Sequence, residues 1–266
     1  MSKKRISLCI FSGLIFFLFL VLKQLPANWV LAHAANQTRL FVPVQVSGTL
    51  WEGQAANIIV KSGAFQLALG EVKWRLSALS LLTGTVALDI EALNGEQKLS
   101  GHFELGMDES IYAENLSLAI DATLFKPFAP MPIEYEGFIE MDLQVFAAEK
   151  ISTKTPAIKQ LSGNLVVKDL AVNFGVAVEL GTYGLRLGLS DKKVNGENII
   201  TIKPTDVEAS VAVSGDVQVL ASSQNYYVNV ALKPGPNANP QIANTLSQFY
   251  KKQPDGFYKI LLGQPL

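Results

Sequence analysis

Over most of its length the chain alternates apolar and polar residues with a period of two. Val72, Trp74 and Leu76 interleave with Glu71, Lys73 and Arg75, and Ile139, Met141, Leu143 and Val145 interleave with Glu140, Asp142 and Gln144. The same rhythm recurs at Val86, Leu88 and Ile90, at Leu116, Leu118 and Ile120, and at Tyr226, Val228, Val230 and Leu232. Successive side chains of a strand point to opposite faces, so each run is a strand with one apolar and one polar face. Strands covered on both sides would be apolar throughout, so the pattern predicts antiparallel pairing. The expected fold class is all-β, a mainly antiparallel and strongly curved sheet.

Helical signals are sparse. Ser77 to Leu82 and Asp121 to Phe125 can each form one turn, the second ahead of the prolines at 127, 130 and 132. The best helix starts at Asn239 as N-cap with Pro240 in the first helical position, and places Ile242, Leu246 and Phe249 on one face. Pro254 and Gly256 end it, and Phe257 to Leu262 reads as a last strand.

A short motif repeats along the strands: Val46-Ser47-Gly48, Leu99-Ser100-Gly101, Leu161-Ser162-Gly163 and Val213-Ser214-Gly215. One reading is recurrent strand chemistry, a glycine that relieves crowding or permits a bulge. The other is two similar halves, 37–150 and 151–266, the second carrying the helix near 240–250. Both imply curvature. A one-sided meander closes into a barrel, folds into a sandwich, or stays open as a trough with an exposed apolar face. Periodicity leaves these three open.

The N-terminus differs in kind. Lys3, Lys4 and Arg5 precede an uncharged run from Ile6 to Leu22, and Leu25, Ala27, Trp29, Val30 and Leu31 extend a weaker apolar stretch. A spanning helix needs about 20 predominantly apolar residues, and basic residues before it hold the N-terminus in the cytoplasm. Residues 1–5 are therefore expected in the cytoplasm, 6–31 as a membrane anchor, and the remainder on the far side of that membrane. Ala32-His33-Ala34 has the form a signal peptidase accepts, so cleavage after Ala34 is the competing reading. The only cysteine, Cys9, lies in the anchor, which leaves the exported part without a disulfide. Twenty-two basic against 23 acidic residues give a net charge of −1 and no basic stripe, so nucleic acid is not an expected partner.

No catalytic pattern emerges. His33 and His102 lack a second His or Cys at ligand spacing, which argues against a zinc site. No serine sits in a G-x-S-x-G elbow, and the glycines from Gly181 to Gly188 lack phosphate-loop spacing. Glu134 and Glu136 read as a solvated strand face. Neither a catalytic residue, nor a cofactor, nor a metal is expected.

Four segments carry a resemblance. Leu25-Pro26-Ala27-Asn28-Trp29-Val30, then Val46-Ser47-Gly48-Thr49-Leu50-Trp51-Glu52-Gly53, with Val72-Lys73-Trp74-Arg75-Leu76-Ser77 further on, resemble the type II secretion system protein N family. The tail Asp255-Gly256-Phe257-Tyr258-Lys259 fits as well. The resemblance implies a non-enzymatic accessory of the machine that exports folded proteins across the outer membrane, with other components of that system as partners. It also implies a distant similarity to AsmA-like envelope proteins, whose trough would handle lipid. Gly48, Trp51, Gly53 and Trp74 are the motif positions it marks, with a structural role expected of them.

Overall fold

The computed structural model describes residues 13, 17, 20–38, 41–62, 65–124, 134–153, 156–173, 177–205, 208–220, 225–236 and 238–266. A helix, α1 (Ala27–Thr38), leads into β1 (Phe41–Gly48), β2 (Glu52–Ser62) and β3 (Phe65–Leu76). A 3-10 turn (Ser80–Thr83) precedes β4 (Thr85–Asn94), β5 (Gln97–Gly106), β6 (Ile111–Asp121) and β7 (Glu134–Glu149). The long strands β8 (Ala157–Asn173) and β9 (Ala177–Val194) come next, then β10 (Glu197–Pro204) and the short β11 (Glu208–Ala209). The chain ends with β12 (Val211–Leu220), β13 (Tyr226–Pro234), α2 (Pro240–Phe249) and β14 (Tyr258–Gly263).

All strands belong to one antiparallel sheet whose spatial order follows the chain order from β1 to β14, with β11 pairing onto β9 beside that path. The path is open, with β1 and β14 as its two edges. The all-β antiparallel expectation is met, and of the three shapes left open by periodicity the sheet takes the unclosed one. Position 150/151 falls in the turn between β7 and β8, inside a ladder that runs from Glu134↔Asn173 to Glu149↔Ala157.

Register explains how alternation in one dimension becomes two faces in two. Val46, Ala55, Val72, Ala92, Leu99, Leu118, Met141, Leu165, Leu185 and Pro204 are successive partners from β1 to β10, an unbroken apolar row. One residue along, Ser47, Gln54, Lys73, Glu91, Ser100, Ser117, Asp142, Asn164, Arg186 and Lys203 form an equally unbroken polar row. Directly paired residues share a face and neighbours along a strand do not, so the two rows lie on opposite sides.

The apolar side is only lightly covered. Its tightest cluster is Ala55, Ile58, Val72 and Ala92, with Trp74, Ile90 and Leu99 against it, whereas Leu118, Met141, Leu165 and Leu185 are half-exposed. The chain exposes 17278 Å², against about 11,000 Å² for a compact chain of its 28.9 kDa.

Bending comes from bulges. Gln45, Asn57, Asn115 and Asp169 hold positive φ within strands, each where the register shifts by a residue. Asn and Asp tolerate this region better than most side chains, and a bulge bends and twists its strand. The repeated glycines work differently. Gly48, Gly101 and Gly163 lie on one transverse row, where a Cβ on Gly101 would come within 3.0 Å of the Leu116 backbone and one on Gly163 would run into the Leu143 side chain. Gly101 and Gly163 make room for a neighbour's bulk, which is the crowding-relief reading of the repeat, whereas Gly48 holds φ +89° at the end of β1. Gly215 pairs with Val230, two residues off that row, and holds φ +113°.

The expected anchor, 6–31, falls largely on residues outside those described. Within it, residues 20–23 are helical, the helix breaks at Gln24–Pro26, and α1 starts afresh at Ala27. A residue before proline is disfavoured in helical geometry, and that places the break at Leu25. Among the described residues no helix is long and apolar enough to cross a membrane.

Candidate functional site

Two features stand out on this sheet: a corner where the motif residues meet, and a cleft beneath α2. The corner is built first by pairing. Gly48 faces Gly53 across β1 and β2, and Gly53 faces Trp74 across β2 and β3. A Cβ on Gly53 would collide with the Trp74 ring and approach Ser47 O to 2.7 Å, so the indole lies across the glycine. Trp74 Nε1 then donates to Leu50 O at 3.1 Å.

Trp51 sits in the turn between β1 and β2. Its Nε1 donates to Leu22 O at 2.7 Å, in the helical turn before the Leu25–Pro26 break. The last carbonyls of a helix lack partners within it, and the indole supplies one. Leu50 N donates to Leu25 O at 2.8 Å, Pro26 bridges to Thr49, and Leu76 N donates to Trp51 O at 2.7 Å. Ala27 beside them is 1% exposed. The four motif positions thus converge, and the Leu25–Ala27 segment joins them.

A shallow polar hollow of ≈ 430 Å³ borders this corner, lined by Gln54, Lys73, Arg75, Asp89 and Glu91 around Trp74. Arg75 reaches Glu52 at 3.3 Å and Lys73 reaches Glu71 at 3.4 Å. These are exposed pairs of small energetic weight. One strand along, His102 bonds Asp89 at 2.7 Å through Nδ1 and Glu104 at 3.3 Å through Nε2. The hydrogen bond to Asp89 is the main cause lifting the imidazole pKa above its usual value, against the opposing effect of burial, with Glu104 adding to the rise. His102 therefore lies on the polar face opposite Phe103, as alternation predicts. Among the described residues no three His, Cys, Asp or Glu are placed to hold a metal ion.

With the corner and sheet in view, comparison with known proteins is decisive. The family model for type II secretion system (T2SS), protein N matches residues 43–261. The chain belongs to the type II secretion system protein N family. Its relatives include the type II secretion system protein N of Aeromonas hydrophila, 25% identical over 245 residues and covering 91% of each chain. Another is the type II secretion system protein N of Vibrio cholerae serotype O1, 27% identical over 216 residues and covering 79% of each. No solved structure matches. The matched span begins within β1 and ends within β14, so the family signature in this chain is the sheet itself.

The cleft was not foreseen from sequence. It holds ≈ 610 Å³ between α2 and the apolar face at β8, β9, β12 and β13. The helix itself is as expected: Asn239 Oδ1 accepts from Gln241 N at 3.0 Å, Pro240 opens it, and Ile242 and Leu246 face the sheet side. Phe249, expected on that same face, is instead 73% exposed at the helix end. The sequence signal available was the apolar stripe Ile242/Leu246, which implied a surface to meet but not which strands supply it.

Proposed function

We propose that this family member is a non-catalytic accessory of a type II secretion machine, tethered to the inner membrane with its sheet in the periplasm. It supports export of folded proteins across the outer membrane by contacts with other components of that machine. The observation that carries the reading is the match of the family model over the sheet from end to end. The corner supports the tether: Trp51, Leu50 and Thr49 bind the segment Leu22–Pro26, so the direction in which the N-terminal segment leaves the sheet is fixed by hydrogen bonds. The polar row from Ser47 to Lys203 offers mixed charge for protein partners, with Lys73, Glu91, Asp142 and Arg186 spaced along it. Side chains that do converge, such as His102 with Asp89 and Glu104, lie on this open face, outside any enclosed cleft of the kind that sharpens acid–base chemistry.

The test is genetic and chemical together. Deleting the gene in a host with a working type II machine should leave exported enzymes trapped in the periplasm, and the full chain supplied in trans should restore their release. In-cell cross-linking should join the chain to inner-membrane components of the same machine. Normal secretion in the deletion strain, with no such cross-links, rejects the role.

A further inference from the structure

The cleft under α2 is a half-open site whose lining is mainly apolar. The sheet contributes Leu170, Val178, Leu180, Val211, Val213 and Leu232. The helix adds Ile242 and Leu246, together with the Thr245 hydroxyl and the uncharged amides of Gln241, Asn244 and Gln248. No charged side chain lines it. Its one phenol, Tyr183, already accepts a hydrogen bond from the Val211 backbone, and burial keeps that hydroxyl protonated. None of the ten residues of α2 is buried, although Ile242 and Leu246 point at the sheet. Protein interiors are normally filled to crystal-like density, so an amphipathic helix standing off an apolar wall by ≈ 610 Å³ is a cover over a space rather than a piece of core. That volume lies within the range of small-ligand sites.

We infer that this cleft holds an aliphatic acyl chain of a glycerophospholipid. The walls decide the class of ligand. They are the face of a hydrogen-bonded sheet and the side of a helix, so their backbone donors and acceptors are paired internally. An extended peptide would leave the amides turned toward these walls without partners, at a cost a hydrocarbon chain does not incur. An ion finds no charged side chain among these walls. The amides of α2 can donate to an ester carbonyl, the group that follows directly on an acyl chain. The cleft also continues into the apolar face: Tyr183 lies two residues from Leu185 on one side of β9, and Val213 lies on the same side of β12 as Val217. A chain longer than the covered space has an apolar surface to run along.

The test uses the full chain in vesicles of phosphatidylethanolamine and phosphatidylglycerol that carry a diazirine on one acyl chain. After photolysis, labelled peptides are mapped by mass spectrometry. Label is expected in residues 238–249 and on β9 or β12, in addition to any label near the N-terminus. Leu246→Glu, which puts a charge into the cleft from a helix with no buried residue, should lower the cleft label by about tenfold. Ser247→Ala, on the exposed side of α2 and outside the cleft lining, should retain it. If Leu246→Glu melts well below the wild type, Ile242→Gln gives the same reading. Cleft label absent from the wild type, or unchanged by both substitutions, overturns the inference. Secretion is not the readout, so this failure leaves the proposed role in export standing.

Discussion

At the scale of single residues, Trp51 shows how one side chain can serve two elements. Its ring is half-buried at the β1–β2 turn, and its N–H reaches a carbonyl 29 positions earlier, at Leu22. Removing the ring loses both packing and the bond. Trp51→Ala is expected to cost about 2–3 kcal/mol, a partial version of the cost of deleting a fully buried aromatic. Trp51→Phe keeps most of the ring and should cost about 1 kcal/mol, the net worth of the hydrogen bond. Thermal melts of the three proteins check this ordering, and equal melting of Trp51→Ala and wild type would remove the structural role we assign to the residue. The tryptophan was visible in the sequence as part of a motif. Its partner was not, because nothing in the local spacing ties position 51 to position 22.

At the scale of elements, β4 and β5 carry the group most sensitive to pH. His102 faces Asp89 across the pair and is bonded to it at 2.7 Å. Its pKa in the folded protein lies above that of the free imidazole. The linkage has a definite sign: the pair adds stability fully when pH is below the unfolded value of about 6.5, and that contribution is lost as pH rises through the higher folded value. The melting temperature of the wild type should therefore fall between roughly pH 6 and 8 by an amount missing in His102→Gln. Identical slopes for the two proteins would show that the pair does not stabilise the charged ring. Strand identity was legible at this scale, since Asp89 and His102 sit on polar positions of clear alternating runs. Curvature was not, because it arises at Gln45, Asn57, Asn115 and Asp169, and an amide or carboxylate in a strand gives no sign that its backbone will turn left-handed.

At the scale of the whole molecule, the sheet stays open, and that sets its dimensions. A compact chain of this length has a radius of gyration of about 18 Å. Neutron scattering with the detergent contrast-matched should give a clearly larger value, and a compact radius would mean that the trough closes in solution. Openness lay beyond the sequence because closing a sheet depends on strand tilt and stagger, which the register shifts at the bulges alter. Periodicity does not encode them. The α2 cleft stayed hidden for a related reason: its walls come from β8, β9, β12 and β13, whose juxtaposition is fixed only once the sheet has curved.

Because strand order in space repeats strand order in the chain, each hairpin can form as soon as its two arms exist. Contacts of this kind close short loops and fold quickly for a β protein. A polypeptide delivered N-terminus first could add one strand at a time to the growing edge, with the hydrogen bonds around Leu22 and Trp51 available from the first turn onward. Tyr258–Gly263 joins that path last, paired with β13 on one side and bridged at Tyr258 to Lys252.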